Sequence, residues 1–285
     1  MLQERFLILA DGRRVALLES QPAPGEQTSK PLLVALHGWL DNSASFVPLA
    51  PYLTHFQLVC IDLPGHGRSD HKSTPYVFVD WLDDLYQIAQ AAGWTAFTLL
   101  GHSLGALIAS AYAGVFPEQV ERLILLEGLG PLSQPDEAVP EQLRCAILNR
   151  SRTRERASQG FASIEEAVAA RCKVADIGPG SARLICERQL EVRAGRWHWR
   201  SDPRLRDLSP MRMSEGQAQA LIRAITCPVL FIAGAEGFAS LQAQWQQRHA
   251  AFAQIERVVL AGNHHFHMEN SAETAVCIEK FCQIR

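Results

Sequence analysis

Phe97-Thr98-Leu99-Leu100-Gly101-His102-Ser103-Leu104-Gly105-Ala106 runs from a buried-strand pattern directly into the apolar helical pattern of residues 106–116. The pentapeptide from Gly101 to Gly105 is a G-x-S-x-G. Alone that pattern is common, but between a strand and a helix it has a mechanical meaning. The serine must sit on a tight turn whose backbone angles and crowding only flanking glycines tolerate. Such a turn lifts the hydroxyl into the open and aims the first amides of the following helix at whatever approaches it. The competing reading, a serine that merely caps a helix, leaves the two glycines without a purpose.

Outward from this turn the chain alternates short apolar runs with helical patterns. The runs are 32–36, 58–61, 97–100, 123–126, 229–233 and 258–260, each short and nearly continuous, as strands buried on both faces require. Residues 6–20 alternate on either side of Asp11-Gly12 and read as a hairpin. Residues 21–30 form a polar Pro/Gly loop. Val77, Trp81, Leu85, Ile88 and Ala92 recur at helical steps and stop at Gly93. Near the end, Asn270 with Glu273 suggests a capping box, and Ala275, Ile278 and Cys282 an inward stripe. The expected fold is α/β: a doubly wound, mostly parallel sheet of eight strands. The rhythm breaks after Gly130 and resumes near Gly216, with helical patterns at 141–156 and 164–171 and no convincing buried strand. Residues 1–130 and 215–285 are therefore expected to form the core, and 131–214 a helical cap over one edge of the sheet.

In this architecture the loop after residues 32–36, His37-Gly38-Trp39-Leu40-Asp41, lies beside the serine turn, where ligands bind. The backbone N–H groups of Trp39 and Leu104 are the expected oxyanion hole. The Trp39 ring either meets substrate or simply packs.

Composition narrows the classes. A net charge of −3 argues against nucleic acid as a partner. No apolar run is long enough to span a bilayer, and the first residues lack a signal-peptide layout, so no membrane and a cytoplasmic location are expected. The seven cysteines are scattered without a C-x-x-C pair and read as buried free thiols. Residues 141–215 carry a net +5, leaving −8 for the rest. This reads as a solvated helical surface, with a preference for anionic substrates as the alternative.

Taken together, the H-G-W loop, Asp62-Leu63-Pro64-Gly65-His66-Gly67-Arg68-Ser69-Asp70, the serine turn and a late histidine make the chain resemble the α/β-hydrolase superfamily over nearly its whole length. Trp197-His198-Trp199-Arg200-Ser201-Asp202-Pro203-Arg204 and Ser209-Pro210-Met211-Arg212 resemble the serine hydrolase-like branch. The resemblance implies Ser103 as nucleophile and a structural role for loop 62–70, with His66 and His102 architectural. It puts the base in Ala261-Gly262-Asn263-His264-His265-Phe266-His267, where His264 fits best and His265 and His267 come second. A zinc site is the rival for this cluster, but H-H-x-H lacks the paired helical spacing with a carboxylate between, so no metal and no cofactor are expected. The family's usual acid lies three residues past the glycine at position 234, and Gly237 stands there. Some members carry the acid one strand earlier, at a position held here by Glu127, which is preferred to Glu236.

The expected chemistry is hydrolysis of a small to medium apolar carboxylic ester through an acyl-enzyme, with a small molecule as the only partner and the oligomeric state open. Trp39, His102, Trp197 and Trp199 are the expected substrate contacts. Lactone or C–C bond hydrolysis, cofactor-free haloperoxidase chemistry and a non-catalytic binding role are the alternatives.

Overall fold

The computed structural model describes residues 2–21, 30–154 and 159–283, so residues 22–29 of the expected loop and 155–156 of the expected helix lie outside them. The strands are β1 (Leu2–Ile8), β2 (Arg14–Ser20), β3 (Leu32–Leu36), β4 (Gln57–Ile61), β5 (Phe97–His102), β6 (Val120–Leu126), β7 (Leu190–Arg193), β8 (Arg196–Trp199), β9 (Val229–Gly234) and β10 (Ile255–Leu260). The helices are α1 (Phe78–Ala92), α2 (Leu104–Val115), α3 (Val139–Arg154), α4 (Ile164–Val174), α5 (Pro179–Gln189), α6 (Glu215–Arg223), α7 (Ser240–Arg248), α8 (Phe266–Glu269) and α9 (Ser271–Phe281).

Eight strands form one sheet in the order β1-β2-β4-β3-β5-β6-β9-β10. The pairings β1–β2 and β2–β4 are antiparallel, and the five from β4 to β10 are parallel. Its two faces feed two separate apolar clusters. On β3, Leu33 and Ala35 enter one cluster while Val34 and Leu36 enter the other, the period-two alternation of a strand covered on both sides. Burying each such aliphatic side chain stabilises the fold by about 1.5–3 kcal/mol. The stripe on α1 is seated as expected through Trp81, Leu85 and Ile88, and Gly93 ends it at φ 72°. Asn270 departs from expectation: its side-chain amide donates to the Glu273 carboxylate and to the Ala261 carbonyl, so no capping box forms.

Between β6 and α6 lie α3, α4, α5 and a short hairpin of β7 and β8. The hairpin was not expected. Its strands have four residues each, are interrupted by charge at Glu191, Arg193 and Arg196, and turn through Ala194-Gly195, both at positive φ. This segment has a small core of its own around Val168, Ile185 and Cys186, joined by Met268. Two buried arginines tie it down. Arg248 donates to the Leu129 and Pro131 carbonyls at 2.7 and 2.8 Å and to Glu215 at 2.6 Å, holding both junctions of the insertion. The bond from Arg248 pulls the Glu215 carboxyl down to about 2. Arg188 on α5 pairs with Asp62 and Glu4, and Asp62 also accepts the Ser43 and Arg68 amides, which gives loop 62–70 its structural role. All seven cysteines are free; Cys145, Cys172 and Cys277 are only partly buried. No helix among the described residues is long and apolar enough to cross a membrane.

Candidate active site

Ser103 joins β5 to α2 at φ 51° and ψ −116°, a conformation that costs about 1–3 kcal/mol for a non-glycine residue. The surroundings impose it. A Cβ on Gly105 would lie 2.0 Å from the Leu36 carbonyl oxygen, and one on Gly101 2.3 Å from that of Gly105. The Ser103 amide donates to the Leu126 carbonyl at 2.8 Å, anchoring the turn to β6. Two glycines thus let α2 start against β3, and the strain falls on the serine between them.

The loop after β3 lies against this turn. His37 is buried with both nitrogens committed: Nδ1 donates to the Gly38 carbonyl at 2.8 Å and Nε2 accepts the Leu63 amide at 3.0 Å. Burial lowers its pKa, in keeping with that neutral tautomer. Neither the Trp39 nor the Leu104 backbone N–H has an acceptor among the described residues. The Trp39 ring is half exposed and donates through Nε1 to the Leu205 carbonyl at 2.9 Å, linking the loop to the insertion.

His264 follows β10. Its Nδ1 donates to Glu127 Oε2 at 3.1 Å, which leaves Nε2 with its lone pair free. Glu127 follows β6 at φ 54°, and its buried carboxylate also accepts the Gly234 and Phe238 amides at 2.7 and 3.1 Å. Gly237 explains the arrangement. A Cβ there would lie 2.3 Å from Glu127 Oε1, so the carboxylate fills the space that a side chain at 237 would need. Glu236 is exposed, and its side chain has no hydrogen bond to any described residue. Sequence reasoning missed Phe238, whose ring packs 4.0 Å from that of His264. An exposed phenylalanine two residues past the acidic Glu236 carried no signal.

The other histidines diverge. His102 is wholly buried and donates through Nε2 to the His264 carbonyl at 2.9 Å. It holds the His264 backbone and is not among the residues that line the cavity described below, so its place among the expected substrate contacts is corrected. His267 is also buried; for both rings burial, then neighbouring imidazoles, holds the pKa well below the usual value. His265 presents Nδ1 to the Asp176 carbonyl at 3.0 Å and Nε2 to Asp41 at 3.3 Å. Both partners only accept, so the ring carries two protons. Burial opposes that charge, but the bond to Asp41 raises the pKa overall. Asp41 is buried beneath Arg171 and, although burial works the other way, His265 and Arg171 keep its carboxyl below the usual range.

A cavity of about 610 Å³ opens over these groups. Gly38, Trp39, Ser103 and His264 line it from the sheet side, and Phe161 and Trp199 from the insertion. Trp197 does not line it: its backbone pairs with Phe161, and its ring packs into the core of α4 and α5, which corrects that expectation.

Comparison with known proteins bears on the fold and the family. An α/β-hydrolase fold family model matches residues 31–170. A serine hydrolase-like protein of Dictyostelium discoideum is 30% identical over 275 residues, 90% of this chain and 76% of that protein. A crystal structure of a hypothetical protein from Pseudomonas aeruginosa PAO1 superposes with a TM-score of 0.90 at 32% identity, covering 99% of this chain and 100% of that one. The thioesterase domain from the curacin biosynthetic pathway superposes with a TM-score of 0.83 at 25% identity, covering 98% and 99%. With a relative of that identity along nine-tenths of its length, the chain belongs to the α/β-hydrolase superfamily and, within it, to the serine hydrolase-like branch.

Proposed function

We propose that the chain is a carboxylic ester hydrolase with Ser103 as nucleophile, His264 as general base and Glu127 as the acid that orients it. The observation that carries this reading is the Glu127–His264 bond, which frees Nε2 in the cavity lined by Ser103. Ser103 Oγ attacks the acyl carbon as His264 Nε2 takes its proton. The carbonyl oxygen, now an anion, is received by the idle N–H groups of Trp39 and Leu104. Collapse expels the alcohol, protonated by the imidazolium, and leaves an acyl-serine. Water, deprotonated by His264, then attacks the ester carbonyl and releases the acid. Glu127 stabilises the imidazolium in both halves without taking its proton.

Residues 131–214 act as the cap, with Phe161 and Trp199 as the apolar wall against the acyl chain. The cavity volume suits a small to medium ester. A fluorophosphonate probe should label Ser103 stoichiometrically, and Ser103→Ala should abolish labelling and turnover of activated esters together. Labelling that survives the substitution would refute the mechanism. Absence of labelling in the intact protein would favour a binding role.

A further inference from the structure

The insertion side of the cavity is not uniformly apolar. Arg171, Ser201 and Arg206 line it alongside Phe161 and Trp199. Ser201 is buried, and its hydroxyl has no hydrogen-bond partner among the described residues. Arg171 spends Nη1 on the Leu40 carbonyl and Nη2 on Asp41, but its Nε is buried and unpartnered. Arg206, exposed on the short turn Pro203–Arg206, has a guanidinium with no hydrogen bond or ion pair to any described residue. Arg206 is thus a cation of the cavity wall that no carboxylate of the described residues answers.

The acidic groups of the cavity are already engaged. Asp41 answers Arg171 and His265, and the Asp176 carboxylate accepts the Asn263 side-chain amide at 3.2 Å. One guanidinium charge is left over. It is under pressure, since the groups packed around Arg206 and the positive charge of Arg171 lower its pKa. A bound anion would offset the repulsion from Arg171.

We infer that the substrate carries a single carboxylate-type negative charge distal to its scissile acyl group, received by Arg206 on the insertion side of the cavity. This inference rests on the ester-hydrolase reading for the orientation of the substrate, but binding of the anion does not. A planar carboxylate matches the guanidinium fork, and one charge balances one unpaired cation. The matched substrate is therefore a half-ester of a dicarboxylic acid rather than a neutral fatty ester.

Binding without turnover tests it. In Ser103→Ala, calorimetric titration with monomethyl adipate and with neutral dimethyl adipate compares the charged ligand with its uncharged twin. The half-ester should bind at least about tenfold more tightly, by the strength of a charge-assisted hydrogen bond. Adding Arg206→Gln should bring the two ligands together, Arg206→Lys should keep part of the preference, and Arg223→Gln on α6 should keep all of it. Equal binding of the two ligands, binding of neither, or a preference that survives Arg206→Gln overturns the inference. Fluorophosphonate labelling of the intact protein is scored separately. Labelling without a charge preference refutes the anion site alone, and a charge preference without labelling refutes the hydrolase reading alone.

Discussion

His264 and His265 are neighbours in the chain, each bonded to a carboxylate, and the site uses them in opposite ways. At the carboxyl ends of β6 and β9, Glu127 engages only Nδ1 of His264, and the other nitrogen is left to the cavity. Beside the loop after β3, His265 gives both nitrogens to acceptors and stays charged under Asp41. An imidazole serves as a base only while one nitrogen keeps its lone pair. In the proposed mechanism the first pair transfers protons, whereas the second is a strut that ties the loop carrying Trp39 to Arg171 on α4.

The sharpest way to separate the two pairs is to neutralise each carboxylate. Glu127→Gln keeps the shape but offers Nδ1 the wrong partner, and its loss should cost about 10⁴-fold in kcat, somewhat over 5 kcal/mol of barrier. Glu236→Gln, at the exposed alternative, should cost less than about tenfold. Steady-state kinetics on one activated ester, with circular dichroism as the folding control, checks both. A large loss in Glu236→Gln alone would reverse the assignment.

Asp41→Asn should act on stability instead. It strands Arg171 and His265 without their shared counter-ion, and breaking one partner out of a buried charge network costs about 3–5 kcal/mol. Urea unfolding at neutral pH measures this. The pH profile refines it. His265 has a raised folded pKa, so its stabilisation is complete below the ordinary histidine value and is lost as pH rises through the raised one. Asp41→Asn should flatten that decline above the ordinary histidine value. An unchanged slope would mean that His265 is not charged in the folded protein.

The comparison also shows what a sequence can carry. The turn at Ser103 was legible because its cause is local: two glycines, a strand before and a helix after. The sheet was legible for the same reason, since each buried strand announces itself over a few residues. The proposed acid was half legible. Gly237 marked an absence, but only the fold shows that Glu127 grows into the vacant space. Asp41 with Arg171, Phe238 beside His264 and the idle charge of Arg206 left no trace, because each arises where segments distant in sequence meet. The β7–β8 hairpin was hidden by its charge and brevity, and Trp197 was misplaced because a tryptophan motif does not say which ring faces a cavity.

The central claim is that Glu127 and Gly237 are one device, an acid moved from the end of β9 to the end of β6. It can be tested by moving the acid back. Glu127→Gly suits the positive φ at that position and removes the carboxylate, and should lower kcat by about 10⁴-fold. Adding Gly237→Asp to that variant returns a carboxylate to the vacated space. The account predicts that kcat of the double variant recovers at least about a hundredfold over Glu127→Gly, a gain of nearly 3 kcal/mol in the barrier. Gly237→Asp alone, forced against Glu127, should be impaired. A folded double variant no more active than Glu127→Gly would contradict the account.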